Sequence, residues 1–302
     1  MTLVAKLLRW YDRHGRDLPW RKTRDPYRIL VSEIMLQQTQ VDRVKGYYRS
    51  WLKTFPSWKE LAKASNAAVL RAWSGLGYNR RALVMRDVAR HVVKNGAPTT
   101  VDGWRAIKGI GSYTASAIMA FAYKEPTVPI DTNIRRVGNR LWRGVAYPTP
   151  KSDGALERTM TRDLIGVDRA YDVPQALFDL AAMHCTKVPE CSACPMRRVC
   201  PSAAKFLSGT VRTPKRMTKK ANETRHYGKP HPDRIYRGRV LKTVQDASLV
   251  DEAAGLTIDA LGTMIDPAFD RTHDRSWLVA MVRRLEKDGM VVLEKNRVSL
   301  VP

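Results

Sequence analysis

A helical periodicity that runs almost without interruption through residues 1–208 is the feature that most constrains the fold. Apolar residues recur there at helical spacing over segments of roughly ten to fifteen residues, and Pro or Gly separates the segments. No series of alternating apolar and polar residues, the pattern of a half-buried strand, occurs in this region. The pattern predicts an all-α fold for the first two thirds of the chain.

The periodicity is lost over residues 209–232, which are rich in Lys, Arg, Pro and Thr and are predicted to form a basic, mobile linker. Beyond it the pattern indicates three helices, the third with Asp274 capping its first turn, and two short strands around Lys295 and Asn296. That order is typical of a winged helix, whose third helix usually enters the DNA major groove. The alternative is a winged helix that only packs against the main domain or a partner protein. The sequence thus predicts a core at 1–208, a linker at 209–232 and a small winged-helix-like domain at 233–302.

The net charge points to a polyanionic partner. The 302 residues contain 53 Lys and Arg against 29 Asp and Glu, a formal charge of +24 that exceeds what solubility needs. Nucleic acid is the partner that this charge favours, with a merely basic or ribosome-associated protein as the alternative. No stretch approaches the roughly 18 apolar residues of a membrane span, and the N-terminal amphipathic segment lacks a signal-peptide cleavage pattern. We therefore expect a cytoplasmic, nucleoid-associated protein with no membrane partner.

All of the cysteines lie in one segment, "CTKVPECSACPMRRVC", as Cys185, Cys191, Cys194 and Cys200. Four thiols in one short loop of a reducing compartment are poor disulfide partners and good metal ligands. Zinc and a [4Fe-4S] cluster are both compatible with four thiolates, and the spacing alone does not distinguish them. The basic neighbours of the cysteines favour a structural role, in which the metal shapes a basic loop for phosphate contact.

Two carboxylates stand in apolar surroundings. Glu33 lies on a helix among apolar residues, where it is either turned to water or held in a pocket with the raised pKa that a general acid needs. Asp131 follows the extended segment "EPTVPI" and begins a helix, where it is either an ordinary N-cap or a functional carboxylate. The residues alone leave both interpretations of Asp131 open.

The segment "KGIGSYTASAI" has the pattern of a helix-hairpin-helix. Gly109 and Gly111 permit a tight turn, and the amides that open the next helix present a seat for a phosphate group. Lys108 adds a positive charge beside that seat.

Five segments, taken in order, resemble the helix-hairpin-helix DNA glycosylases, and most closely the MutY-like adenine DNA glycosylases. They are "RDLPWRKTRDPYRILVSEIMLQQTQV", "WSGLGYNRRA", "KGIGSYTASAI", "PIDTNIRRV" and the cysteine loop, and the resemblance covers about residues 5–205. It implies an all-α fold with a six-helix domain, an iron-sulfur domain that includes the N-terminal helix, and a cleft for DNA between them. It also implies a [4Fe-4S] cluster on the four cysteines and a monomer that acts on double-stranded DNA with a mismatched or damaged base.

The resemblance further implies roles for individual residues. Glu33 would protonate the departing base, and Asp131, held by Asn133, would stabilise an oxocarbenium-like sugar and assist water. Tyr113 stands where strand-cleaving relatives carry a lysine, which implies a monofunctional glycosylase. Residues implied to touch the flipped base or fill its vacancy are Trp20, Arg21, Gln37, Gln38 and Tyr78. Residues implied to contact DNA phosphates are Lys108, Gly109, Gly111, Arg80 and Arg81.

The sequence departs from the family pattern in three places. The first gap of the cysteine motif, C-x5-C-x2-C-x5-C, is one residue shorter than usual, and "IKGIG" and "DTN" replace the common "LPGVG" and "DGN". The region after the linker is also too short for the usual domain that recognises 8-oxoguanine. Adenine is therefore the first expectation for the excised base, with thymine or uracil opposite guanine as the alternative. A catalytically silent DNA-binding protein is the alternative of another class.

Overall fold

The structure is a computed structural model that describes residues 2–214, 223–251 and 255–302. Over these residues the helices are α1 (Leu3–His14), α2 (Pro26–Leu36), α3 (Val41–Thr54), α4 (Trp58–Lys63), α5 (Asn66–Trp73), α6 (Arg80–Asn95), α7 (Val101–Ala106), α8 (Ser112–Ala122), α9 (Thr132–Trp142), α10 (Asp153–Leu164), α11 (Asp172–Met183), α12 (Ala203–Leu207), α13 (Asp233–Val250), α14 (Ile258–Ile265) and α15 (Arg271–Lys287). The predicted all-α fold of residues 1–208 is confirmed, since the described part of that region contains no strand.

The described residues form two compact units, each built from two separate stretches of the chain. One unit draws on Met1–Glu33 and Pro98–Met217, and the other on Ile34–Ala97 and Thr218–Pro302. The division falls within α2. The C-terminal region therefore shares a compact unit with residues 34–97, and the predicted contiguous domain boundaries stay a prediction.

The first unit is built around one hydrophobic cluster to which α1, α9, α10 and α11 each contribute. The apolar stripe of α1, formed by Val4, Leu7 and Trp10, packs into this cluster, as its helical spacing predicts. Cys185 of the cysteine loop also belongs to it. The helix α8 is buried over residues 114–121, which suits its almost wholly apolar composition. Candidate site residues lie at the starts of α8 and α9, two helices of this unit.

The helices α3 to α6 form one part of the second unit. Their buried aromatic side chains include Trp51 and Trp73, whose rings meet edge to face with centroids 5.6 Å apart. The helix α5 contacts α3 and α6, and it also contacts α13 of the C-terminal region.

The C-terminal region contains α13, α14 and α15 and a small antiparallel sheet. The strands are β1 (Leu256–Thr257), β2 (Val291–Glu294) and β3 (Arg297–Leu300), in the order β1-β3-β2. The predicted hairpin is present, and Lys295 and Asn296 form its turn with φ values of 44° and 69°. The predicted three helices and hairpin are thus found, whereas their assignment as a winged helix stays a prediction.

Part of the predicted mobile linker is packed against α15. The ring of His226 stacks on Trp277 with centroids 4.8 Å apart, and Lys229 forms ion pairs with Asp266 and Asp274. The expectation that Asp274 caps α15 is wrong, because Asp270 is the N-cap and Asp274 is buried in this ion-pair cluster. Residues 215–222 of the predicted linker lie outside the described residues.

Within the described ranges, no helix has both the length and the apolar character that a membrane-spanning segment requires.

Candidate active site

Glu33 is a buried acid on α2. Its side chain is only 5% exposed, and the Tyr113 hydroxyl donates a hydrogen bond of 2.7 Å to its Oε2 atom. Burial raises the pKa of Glu33 to about 7; the Tyr113 hydrogen bond opposes this rise, and the nearby charge of Asp131 adds to it. Because Tyr113 donates to Oε2, a proton carried by Glu33 lies on Oε1, from which it is available to a ligand.

Tyr113 itself is held in the neutral form. Burial and the adjacent Glu33 carboxyl raise the pKa of Tyr113 well above its ordinary value. The phenol therefore remains a hydrogen-bond donor throughout the pH range in which Glu33 titrates. The structure thus brings together Glu33, Tyr113 and Asp131, three residues that the sequence separates by nearly a hundred positions.

The burial of Glu33 makes a prediction about stability. The pKa of its carboxyl rises from 4.5 to about 7 on folding, so the stability that the protonated form provides is present below pH 4.5 and is lost as the pH rises through 7. We expect Glu33→Gln, which is neutral at every pH, to raise the free energy of unfolding at pH 8 by about 3 kcal/mol. Urea unfolding of both proteins at pH 4.5 and pH 8 measures this, and the difference should vanish at the lower pH.

The control for this prediction is Glu60→Gln, which removes a carboxylate at the fully exposed start of α4. It should not stabilise the protein at pH 8. Equal gains in the two variants, or no gain from Glu33→Gln, would contradict a buried, protonated Glu33.

Asp131 is the N-cap of α9. Its Oδ1 atom accepts hydrogen bonds from the amides of Asn133 and Ile134, at 2.8 and 2.7 Å, and its Oδ2 atom accepts one of 2.8 Å from the Asn133 side chain. The positive end of the α9 dipole adds to the stabilisation that these three donors give a negative charge. Asp131 is thus an N-cap and also a carboxylate whose charge reaches Glu33.

A chain of hydrogen bonds continues from Asp131 to the cysteine loop. The Arg136 guanidinium donates 3.1 Å to the Asn133 side-chain oxygen and 2.7 Å to the backbone carbonyl of Cys185. Burial lowers the pKa of Arg136. The orientation of Asn133, and through it that of Asp131, therefore depends on where the loop places Cys185.

The four cysteines line one cavity of the first unit, together with Arg140 and His184. Burial, and to a lesser extent the charges of the other three cysteines, raise the pKa of Cys194 to about 11, although a backbone hydrogen bond opposes the rise. The described residues nevertheless contain no group of three or more His, Cys, Asp or Glu side chains already spaced to hold a metal ion. The thiols therefore converge on a common space without adopting ligand geometry.

Arg140 shows that this cavity suits an anionic group. Its side chain is 1% exposed, and its guanidinium donates to the carbonyls of Ala146, Thr186 and Lys187 and to Sγ of Cys185. Its guanidinium carbon also lies 4.7 Å from the ring centroid of Phe206 and 5.5 Å from that of Tyr147. A buried cation is stabilised by nearby thiolates, and four thiolates are the donor set of a zinc or iron-sulfur site.

The side chain of Arg21 forms hydrogen bonds with other residues of the protein. Its guanidinium donates to Gln175, to the carbonyl of Arg16 and, through two atoms, to Asp179 at 2.8 and 2.9 Å. These contacts give Arg21 a structural role beside Glu33, whose pKa its charge lowers. Trp20, next to it, is buried. Contacts of Trp20 and Arg21 with a base stay predictions.

Sequence reasoning missed Asp179 and Gln175. Asp179 is fully buried and pairs with both Arg16 and Arg21. The arginine hydrogen bonds lower its pKa although burial acts in the opposite direction. The signal was present, because Asp179 is an acid flanked by apolar residues in the second half of α11, a pattern similar to the one that singled out Glu33.

The amides that were predicted to receive a phosphate group lie at the start of α8. Gly109 has φ +97°, which a side chain would strain, whereas Gly111 has φ −86° and space for a Cβ atom. The positive φ of Gly109 therefore favours glycine at that position, and the predicted phosphate contacts of Gly109 and Gly111 stay predictions. No side chain caps α8 in the described structure, so its first amides remain available for an anion, with the exposed Lys108 nearby.

The remaining predicted contacts lie in the second unit. Gln37, Gln38 and Tyr78 are exposed, and Gln38 and Tyr78 have φ values of 57° and 49°. Arg80 is exposed and lies 3.7 Å from Asp288. Their contacts with DNA stay predictions.

Arg81 has a different environment from the exposed Arg80. Its guanidinium donates 2.8 Å to the Ile34 carbonyl and 3.1 Å to the Gly77 carbonyl, and it also bonds the Gln37 carbonyl. Arg81 thus satisfies the end of α2 and the turn before α6. The structure gives the predicted phosphate contact of Arg81 no support.

Comparisons with known proteins show the family of this chain. The sequence model of the HhH-GPD superfamily of base excision DNA repair proteins matches residues 31–161, which include Glu33, Tyr113 and Asp131. An adenine DNA glycosylase of Mycolicibacterium smegmatis is 37% identical over 296 residues, 96% of this chain and 95% of that protein. The adenine DNA glycosylase of Schizosaccharomyces pombe is 37% identical over 221 residues, which cover 64% of this chain but only 47% of that protein.

Solved structures show the same architecture. A thermostable thymine-DNA glycosylase superposes with a TM-score of 0.62 at 28% identity, covering 67% of this chain and 95% of that one. A trapped endonuclease III–DNA covalent intermediate superposes with a TM-score of 0.54 at 16% identity, over 68% of this chain and 95% of that one, and supports the fold alone.

The match to the HhH-GPD model and the 37% identity to an adenine DNA glycosylase over 96% of this chain show a DNA N-glycosylase of base excision repair. Within the HhH-GPD superfamily, this chain belongs to the adenine DNA glycosylases.

Proposed function

We propose that this chain hydrolyses the N-glycosidic bond of an adenine that is mispaired with guanine or 8-oxoguanine and flipped out of duplex DNA. The observation that carries the proposal is the unequal pair of carboxyl groups, with Glu33 buried at a pKa of about 7 and Asp131 held by three N–H donors. Two carboxyl groups in such different surroundings can play different roles, one as a proton donor and the other as an ionised group that stabilises positive charge. The names of the most similar relatives support adenine as the base.

The chemical step follows from these positions. Glu33 donates its Oε1 proton to N7 of adenine, and the bond between N9 and C1′ breaks as its electron pair moves into the base. The carboxylate of Asp131 stabilises the positive charge that develops on the sugar. Water then adds to C1′ and loses a proton, which leaves an abasic site and free adenine. Removing the base from the stack costs a few kcal/mol, and least at a mismatch.

Tyr113 supports a monofunctional reaction. A phenol cannot form the Schiff base through which a lysine leads to strand cleavage. The Tyr113 hydroxyl also lies on Glu33, where it orients the acid. We therefore propose that the product is an intact strand with an abasic site.

We propose that Cys185, Cys191, Cys194 and Cys200 hold a [4Fe-4S] cluster, with zinc as the alternative. A bound cluster would supply structural order to the loop, while Arg140 donates to Cys185 and Arg136 holds the loop backbone against Asn133. We expect the purified protein to be brown, with iron and acid-labile sulfide in roughly equal amounts. Colourless protein containing one zinc would assign the site to zinc.

We also propose that the protein works as a monomer on double-stranded DNA in the cytoplasm, at the nucleoid. The net charge of +24 supports a DNA partner. Light scattering of the free protein, and fractionation of cells that express it, test these two statements separately.

A panel of duplexes tests the proposed activity. Strands containing A:8-oxoG, A:G, T:G, U:G or hypoxanthine are incubated with enzyme, and alkali then cleaves the strand at any abasic site. We expect cleavage at A:8-oxoG and A:G only after alkali. Activity at T:G or U:G instead would favour the alternative base, and binding with no base release on any duplex would favour a silent DNA-binding protein.

A further inference from the structure

The C-terminal region lacks the charge expected of a DNA-binding module. Residues 223–302 contain 13 of the 53 Lys and Arg and 12 of the 29 Asp and Glu, so they contribute only +1 to the net charge of +24. Neutralising phosphates requires an excess of cations. Several arginines of α15, the helix predicted to enter the major groove, are moreover paired within the protein: Arg271 with Asp259, Arg275 with Asp259 and Asn296, and Arg283 with Glu286.

The C-terminal region instead forms hydrogen bonds with both ends of α5, a helix of the same compact unit. At the start of α5, the Asn66 side chain donates 2.7 Å to the carbonyl of Gly289. At its end, the side chain of Gln245 on α13 donates 2.8 Å to the Leu70 carbonyl and accepts 3.1 Å from the Ser74 hydroxyl. Gln245 is 2% exposed, so both bonds are shielded from water.

Gln245 supplies a cap that α5 cannot make itself. The last turn of α5 tightens, so that the Ser74 amide bonds the Arg71 carbonyl at 3.1 Å rather than the Leu70 carbonyl one residue earlier. Gln245 thus provides a donor to the Leu70 carbonyl, and the loss of a donor from a buried acceptor is costly. A side chain 175 positions away in the sequence meets this need.

The turn that follows α5 is the one that carries the exposed Tyr78. Gly75, Gly77 and Tyr78 all have positive φ, and 64% of Tyr78 is exposed. Such a turn keeps its conformation only where its surroundings hold it. The Tyr47 hydroxyl holds the Ser74 carbonyl at 3.0 Å, the Trp73 indole holds the Gly77 carbonyl at 2.9 Å, and Gln245 holds Ser74 from the other side.

We propose that the C-terminal region is a brace, in which Gln245 is a positioning residue that holds α5 and the turn 74–78 in the conformation that engages DNA. The proposal rests on the proposed function, because it takes Tyr78 as a DNA contact. The brace lowers the conformational entropy that the turn loses on binding, so its effect is on DNA affinity. Base release itself depends on Glu33 and Asp131, which Gln245 does not contact.

The test uses the full-length protein with Gln245→Leu, which removes both side-chain bonds at similar volume. Single-turnover base release is measured against enzyme concentration, at a temperature where every variant is folded. We expect the half-saturating enzyme concentration to rise about tenfold, which is the effect expected when one buried carbonyl loses its donor. The maximal rate should stay within about twofold of the wild-type value. The matched control is Ser248→Ala, a buried residue of α13 whose hydroxyl bonds only the Gln245 carbonyl in the described structure; it should change neither value.

A double-mutant cycle shows whether Gln245 acts through the turn. In a Tyr78→Ala background, Gln245→Leu should have no further effect on half-saturation, because the contact that the brace positions is gone. Additive effects, an unchanged half-saturation in Gln245→Leu, or an equal change in Ser248→Ala would overturn the brace. So would a greater loss from Arg284→Ala, since that result would place the DNA on α15.

Failure of the proposed function would be recognised separately. If wild-type protein releases no base from any duplex, the same variants are compared by fluorescence anisotropy of a bound mismatched duplex. The brace then predicts weaker binding for Gln245→Leu and unchanged binding for Ser248→Ala, and equal affinities for all of the variants would overturn it.

Discussion

Glu33→Gln is expected to slow base release by about 10²- to 10⁴-fold, the range attributed to a positioned general acid. Glutamine keeps the volume of Glu33 and can still accept the Tyr113 hydrogen bond, but it has no proton of suitable acidity to give to the base. DNA affinity should be almost unchanged. Single-turnover kinetics on an A:8-oxoG duplex, with the affinity measured by anisotropy, separate the two quantities. A variant with normal turnover would show that Glu33 is not the acid.

The pH dependence of the wild-type rate checks the same assignment. Because the acid must be protonated, base release should be constant below pH 7 and fall about tenfold per pH unit above it. Tyr113→Phe removes a hydrogen bond that lowers the pKa of Glu33, so the falling limb should move to higher pH. A shift to lower pH, or none, would contradict the contact between these residues.

Asp131→Asn is expected to reduce base release by roughly 10²- to 10³-fold, the effect of removing one preorganised electrostatic stabiliser. Asparagine still accepts the amide hydrogen bonds of Asn133 and Ile134 through its oxygen, so α9 stays capped. What disappears is the negative charge, together with the acceptor of the Asn133 side-chain hydrogen bond. The same single-turnover assay measures the loss, and the thermal midpoint should change little.

The structure offers a matched control for this variant. Asp270 caps α15 in the same way, with its Oδ1 atom accepting from the amides of Thr272 and His273 at 2.7 and 3.0 Å. Asp270→Asn should leave base release unchanged. Equal activity of the two variants would show that Asp131 acts only as an N-cap.

The pattern of the sequence predicted most of the helices and the residues of the site, because each carries a local signal. The spacing of Val4, Leu7 and Trp10 follows the helical period, and the structure buries that stripe. Glu33 stood out as a single acid on an apolar helix, and of the two alternatives that this pattern left open, water or a pocket, the structure shows the buried one. Lys295 and Asn296 marked a hairpin turn through their tolerance of positive φ.

The errors came from contacts between residues that are distant in the sequence. Asp274 resembles an N-cap in the local pattern, but Lys229 and His226 draw it into a buried cluster. Residues 223–232 have the composition of a mobile linker, but His226 and Lys229 fix this segment against α15.

The sequence by itself determined the helical class, the four clustered thiols and the identity of both carboxyls, because periodicity and residue chemistry are local properties. Only the tertiary structure decided that the pKa of Glu33 is raised to about 7, since that depends on burial and on the approach of Tyr113 and Asp131. The structure alone also joined Gln245 to the end of α5. Burial and pairing arise from folding, and no short stretch of the chain specifies them.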